Sequence, residues 1–200
     1  MSHPADGITK IVTLGVLTGT GISKLKPFTF NGQVFSPDTL KALAFEIDNG
    51  TLDILYETKK MKGAIYNSSE NRLYIKYFHA GTVTRQALIV HELTHAMYDF
   101  QGRKMDVATS EAISYIVQCM YIRGNNVSTG PEDRIYADWD VDHEDFEAYD
   151  RVFKEGWRIA GKLLNGQPLD SEDERLMRYA VSDHPEYWMD ASRNAGFDGY

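Results

Sequence analysis

The chain of 200 residues contains one cysteine, Cys119, so no disulfide can form within it and the fold has to be held by its core. It also lacks any basic tract. The net charge of −8 and a pI near 5.2 exclude a general electrostatic attraction to nucleic acid or to an anionic membrane. No stretch approaches the roughly 20 apolar residues of a spanning helix. The moderately apolar run Ile8–Ile22 carries Lys10 among many Thr and Gly residues, without a basic leader region or a small-residue cleavage site, and does not read as a signal peptide. Repeats and low-complexity segments are absent too. What remains is a chain with 42 % hydrophobic and 12 % aromatic residues, enough to bury a substantial core as one domain. The expectation is a soluble protein, either cytoplasmic or exported without a classical leader.

The most informative stretch runs from Thr84 to Asp99 and contains His91-Glu92-Leu93-Thr94-His95, an H-E-x-x-H pattern. On a helix, side chains four apart lie one turn above each other with Cβ atoms about 5–6 Å apart, so two imidazoles can converge on one cation about 2.0–2.1 Å from each nitrogen. Glu92, rotated by about 100° from His91, falls beside the ion as a base for the water that the ion activates, not as a ligand. The apolar stripe Ile89, Leu93, Ala96, Met97 and Phe100 predicts a buried helix with one polar seam. Thr82 or Thr84 is the predicted N-cap, and Gly102 the residue just past the end. With six histidines in 200 residues, a chance match is expected on the order of 0.01 times.

The flanking sequence fills in an α+β chain. Residues 1–36 are rich in Gly, Thr and Pro, with β-prone runs at Ile11–Leu17 and Phe28–Phe35, and are expected to form edge strands or an N-terminal arm. A helix starting at Ser36 or Asp38, with Pro37 in its first turn, should end at Asn49-Gly50. Strands are predicted at Leu52–Tyr56, Ala64–Tyr66 and Arg72–Phe78, the last two joined as a hairpin through Asn67–Asn71. The last of them is the expected border of a cleft where an extended peptide could pair. A helix from Asp106 or Thr109 to Arg123 shows a polar stripe of Glu111, Ser114, Tyr115 and Gln118, expected to form a cleft wall. The acids Asp138–Asp145 resemble a calcium loop only superficially, since His143 and Tyr149 stand where glycine and glutamate are needed, and they serve better at the start of a helix from His143 to Leu164. A capping box of Ser171 and Glu174 opens a helix through Val181, and Asp183-His184-Pro185 opens a last short one containing Tyr187 and Trp188. Residues 37–124 thus form the expected metal-binding core and 125–200 a helical C-terminal part.

A catalytic zinc has three protein ligands and one open position. Glu111, 16 residues after His95, is the first choice for the third ligand, since the intervening chain is long enough to turn a second helix against the first. Asp99 is a rival one turn beyond His95, but three residues spread over about 12 Å of helix axis cannot all reach one ion, and it suits a supporting acceptor better. His143 and His184 are distant alternatives. An oxyanion partner is also required; Tyr115, one turn past Glu111, is the local candidate, with His184 or Tyr98 as substitutes and core packing as the plainer role for each.

His91-Glu92-Leu93-Thr94-His95-Ala96 followed by Ser110-Glu111-Ala112-Ile113-Ser114-Tyr115 resembles the zincin metallopeptidases, most closely their gluzincin branch, in which a glutamate on the following helix completes the site. The resemblance covers about Arg72 to Arg123. The chain lacks the longer N-E-x-x-x-D signature of thermolysin-like enzymes and the glycine and third histidine of metzincins. Its phrase also looks similar to metallopeptidase domains of bacterial toxins and effectors. The resemblance implies a zincin-like fold, a small sheet with antiparallel strands packed on the H-E-x-x-H helix and on the ligand-bearing helix after it. It also implies Zn2+ held by His91, His95 and Glu111, and hydrolysis of a protein or peptide substrate with Glu92 as general base. The other reading is a non-catalytic zincin-like module that binds metal or peptide without cutting; retention of Glu92 favours the enzyme.

Overall fold

The computed structural model describes residues 5–57, 63–76, 81–125, 146–185, 187, 189–193 and 195, with the backbone alone for 146–150. The acidic run 138–145 with His143, the side chains of Phe146 and Tyr149, Trp188 and the segment 196–200 lie outside the described residues. In chain order the elements are α1 (Asp6–Thr18), α2 (Thr20–Ser23), β1 (Phe28–Phe30), β2 (Gln33–Phe35), α3 (Pro37–Asn49), β3 (Asp53–Tyr56), β4 (Ala64–Asn67), a 3-10 turn (Ser68–Glu70), β5 (Arg72–Ile75), α4 (Val83–Phe100), α5 (Val107–Gly124), α6 (Phe146–Leu164) and α7 (Ser171–Ser182). The architecture is α+β. None of the described helices is long and apolar enough to cross a membrane.

The helix α5 is the hub. Nearly every side chain from Ala108 to Ile122 is buried, because α4 packs along one side, α6 along another and α7 against its N-terminal half. Gly156 lets α6 approach closely: a Cβ there would lie 3.1 Å from Cys119 Sγ and 3.4 Å from the Tyr115 carbonyl oxygen. The helix α4 is buried over most of its length, with Leu93 and Ala96 fully enclosed, and between Ala87 and Asp99 only Glu92 and His95 of its polar seam reach partial exposure. Each fully buried Leu or Ile in this core is worth about 1.5–3 kcal/mol relative to an exposed one. Thr82 caps α4 by accepting the Arg85 N–H, and Gly102 adopts φ +59° just past its end, as the sequence predicts.

The three-stranded sheet has the order β3-β5-β4, with β5 parallel to β3 and antiparallel to β4. The hairpin through Asn67–Asn71 forms as expected, but its second strand is central. The strand beside the cleft is therefore β4, not the expected Arg72–Phe78 strand, whose described part ends at Ile75. The reason lies in β3, which takes the outer side of β5 and leaves β4 as the edge that packs on α4.

The N-terminal region departs most from expectation. Ile11–Leu17 is helical within α1, which packs on α3, β3 and α4. Burial of Val16 and Leu17 overrides the β preference of the Thr and Val residues, and Thr9 and Thr13 donate their hydroxyls to carbonyls one turn back, which lets them sit fully buried. Phe28–Phe35 is a separate hairpin turning at Asn31-Gly32, both at positive φ. The cap of α7 is one residue earlier than expected: Asp170 accepts the N–H groups of Glu172 and Asp173, and Asp173 accepts the Asp170 N–H in return. Beyond Ser182 the described residues form turns, not the expected short helix.

Candidate metal centre

Two helices position the centre. The helix α4 presents His91 and His95 one turn apart, and α5 presents Glu111 across from them, held in place from its N-terminus. There Asp106 caps α5 by accepting the Thr109 N–H and is clamped by Arg178 of α7 through two bonds of 2.9 Å. Glu111 Oε2 lies 3.3 Å from His91 Nε2, and Oε1 lies 3.5 Å from His95 Nε2. One donor atom from each of the three residues falls within 4.8 Å of the others, close enough to share one metal ion. Asp99 and His184 are not part of this cluster. Asp99 is buried on the same helix and accepts the Tyr66 hydroxyl at 2.5 Å, while His184 is buried against the Tyr187 ring with centroids 5.1 Å apart. Asp99 thus plays the supporting role foreseen for it, with a phenol and not an imidazole as its observed donor.

The far nitrogens of both imidazoles are engaged by α5. His91 Nδ1 lies 3.0 Å from Gln118 Oε1; His95 Nδ1 lies 2.8 Å from Ser110 Oγ and 3.4 Å from Ser114 Oγ. The polar stripe read from the sequence as a cleft wall is therefore the support of the ligand pair. A proton on each Nδ1 would leave the Nε2 lone pairs turned toward Glu111, the arrangement a metal requires.

The three side chains shift one another's ionisation. Burial works against a charged His91, but Glu111, with Glu92 nearby, outweighs it and holds the His91 pKa above the ordinary value. Burial dominates at His95 and lowers its pKa to about 4, helped by the His91 charge and opposed by Glu111. Burial raises the Glu111 carboxyl, yet His95, His91 and a hydrogen bond from Tyr187 bring it below the usual value. Glu111 Oε2 is buried and makes no aligned hydrogen bond. A carboxylate with a buried, unused oxygen beside two imidazole nitrogens fits a divalent cation of the kind that nitrogen and carboxylate donors bind.

The centre opens into a cleft of about 300 Å³ lined by Ile65 and Tyr66 of β4, by Glu92 beside the imidazoles, and by Val107, Tyr187 and Ala195. Glu92 Oε2 accepts the backbone N–H of Tyr66 at 2.9 Å, which ties the seam of α4 to the edge strand. Tyr115 stands behind His91, its ring edge-on at 4.6 Å and its hydroxyl 3.2 Å from that of Tyr187. Of the two phenols lining the cleft, Tyr66 donates to Asp99 and Tyr187 reaches Glu111, with Tyr115 packed behind Tyr187. Sequence reasoning missed Tyr187 because nothing local marks it; only the fold brings it to Glu111. Tyr98 is buried, with burial pushing its phenol well above the usual range.

A larger cavity of about 610 Å³ lies between α1 and the far ends of α4 and α5, lined by Val12, Gly15, Gln86 and Tyr121 among others. No described group of metal-ligating side chains faces it. Cys119 is buried and its thiol is pushed far above the usual value, which leaves it inert as a nucleophile. The fold and site define an α+β protein with two histidines and a glutamate close enough to hold one metal ion, beside an open cleft. Comparison with protein-family models, curated proteins and solved structures finds no match to this chain.

Proposed function

We propose that this chain is a zincin-like zinc metallopeptidase, of the gluzincin type, that hydrolyses peptide bonds in a protein or peptide substrate. The observation that carries this reading is the convergence of His91, His95 and Glu111 with Glu92 free of the ligand set but in the same cleft. His91, His95 and Glu111 would hold Zn2+. Such an ion supplies Lewis-acid polarisation of a carbonyl and a lowered pKa for water. Glu92 takes the proton of the attacking water and passes it to the leaving amine. Edge strand β4 offers its backbone to an extended peptide, and the side chain of Ile65, 48 % exposed, stands where that peptide would lie. Tyr187, with Tyr115 behind it, is the phenol placed to donate to the developing oxyanion. A role as an effector or toxin protease aimed at one protein belongs to the same reading.

A non-catalytic metal- or peptide-binding module is the second reading. It draws on the bond between Glu92 and Tyr66, which gives Glu92 a structural task as well. Glu92→Gln separates the two, since the amide oxygen can still accept the Tyr66 N–H. The expected result is retained zinc and a loss of peptide hydrolysis by about 10²–10⁴-fold, read on a library of unstructured peptides with and without chelator. Undiminished, chelator-sensitive cleavage by this variant would overturn the role of Glu92, and absence of any cleavage by the parent on the full library would favour the module.

A further inference from the structure

Gln118 is 99 % buried, on the same face of α5 as Glu111, and directs Oε1 at His91 Nδ1 from 3.0 Å. Its Nε2 is also buried and has no hydrogen-bond partner. An amide so enclosed loses one of its two functions whichever way it is turned, and a side chain of similar size without polar atoms would avoid that loss. The orientation found sacrifices the NH2 group and uses the carbonyl, which can only accept. His91 Nδ1 must then donate, and its lone pair is left on Nε2, 3.3 Å from Glu111 Oε2.

The opposite arrangement is available to the same atoms. With its proton on Nε2, His91 would turn an N–H and not a lone pair toward Glu111 Oε2, 3.3 Å away, and the proton would stand where a cation would be shared. His95 stands differently. Its Nδ1 faces the hydroxyls of Ser110 and Ser114, and a hydroxyl rotates to donate or accept with equal ease, so neither serine imposes a tautomer.

We propose that Gln118 is a positioning residue that fixes the His91 proton on Nδ1, so that His91 is the anchoring ligand of the centre and His95 the adaptable one. The inference rests on the reading of His91, His95 and Glu111 as a metal centre, and it adds which residue keeps that centre ready for a cation.

The test uses the full chain, freed of metal and titrated with zinc sulfate against a chromogenic chelator. Gln118→Met should weaken zinc binding by about 10–100-fold, while the melting temperature of the metal-free protein stays level or rises, because the unpaired amide is gone and His91 can turn its proton to Glu111. A residue with a merely structural role would instead lower that melting temperature and leave the affinity of the folded fraction unchanged. Ser110→Ala should weaken zinc binding by less than Gln118→Met does. Zinc affinity in folded Gln118→Met equal to the parent would overturn the inference and leave the metal centre standing, whereas failure of the parent chain to bind zinc would remove both. Should Gln118→Met fail to fold, nitrogen NMR of histidine-labelled, metal-free parent protein at a pH where His91 is neutral decides: a proton on His91 Nδ1 supports the inference, and one on Nε2 overturns it.

Discussion

Two carboxylates near the starts of helices, Asp173 buried and Glu111 partly so, have opposite surroundings. Asp173, 2 % exposed in α7, is matched on every side: it accepts the Asp170 N–H at 3.0 Å, Arg158 Nη1 at 2.7 Å and Lys162 Nζ at 2.5 Å. Glu111 in α5 meets two imidazoles at 3.3 and 3.5 Å and keeps one oxygen without an aligned donor. The first is a finished structural device joining α6 to α7. The second keeps a buried oxygen without an aligned donor although Tyr187 donates to the same carboxylate, and a cation would supply what is missing. The difference separates an acid that builds the fold from one suited to hold a cation: what distinguishes them is the valence left unused.

That contrast can be broken by exchanging the consequences of the two substitutions. Glu111→Gln should lower zinc affinity by 100-fold or more, on the order of the loss of one ligand. It should barely change the metal-free unfolding midpoint, since the imidazoles shed protons and the new amide can donate to one of them. Asp173→Asn should do the reverse, costing about 2–3 kcal/mol in urea unfolding by leaving Arg158 and Lys162 short of their shared acceptor, with zinc affinity unchanged. A strong stability loss in the first variant together with a weakened metal site in the second would show the assignment to be inverted.

A smaller effect sharpens the same comparison along the pH axis. Asp173 has a folded pKa below its ordinary 3.8; burial alone would raise it, but Lys162, the Asp170 N–H and Arg158 outweigh that. Its contribution is present above about pH 3.8 and is lost as pH falls through the lower folded value. At the metal centre, His95 is lowered from 6.5 to about 4, so the unfolded chain takes up a proton over that window while the folded one does not, and stability falls as pH drops from 6.5 to 4. His91 is shifted the other way, and its contribution, full below 6.5, is lost as pH rises through its folded value. Metal-free protein should therefore show its greatest stability near pH 6.5 where these two groups govern, with the loss attributable to Asp173 beginning only below about pH 3.8. Urea midpoints across pH 3–9, with and without Asp173→Asn, check both windows; a single acid transition common to both proteins would contradict the separation.

Much of the site was legible in the sequence because it depends on local periodicity. His91 and His95 lie one turn apart on any helix, and Glu111 with Ser114 and Gln118 marks one stripe of the next; a short connection then leaves few ways to pack the two. Strand pairing was less legible. Nothing in the residues of β3 announces that it will pair parallel to β5 and leave β4 at the cleft. The helix α1 was hidden by its threonines, whose preference for strands is cancelled by bonds to carbonyls one turn back. Asn31-Gly32 was a readable hairpin turn and was passed over inside a longer β-prone run. Tyr187 could not be found at all, because its contact with the ligand pair is made by α7 and the turns after it folding back over the start of α5, where Arg178 grips Asp106.

The central claim is that His91, His95 and Glu111 together hold one divalent ion. Metal-free protein titrated with zinc and followed by X-ray absorption tests it directly. The expected result is one ion per chain, with a first shell of two imidazole nitrogens and carboxylate oxygen that loses its oxygen contribution or its zinc in Glu111→Gln. No saturable binding in the parent chain, or a first shell unchanged by Glu111→Gln, would contradict it.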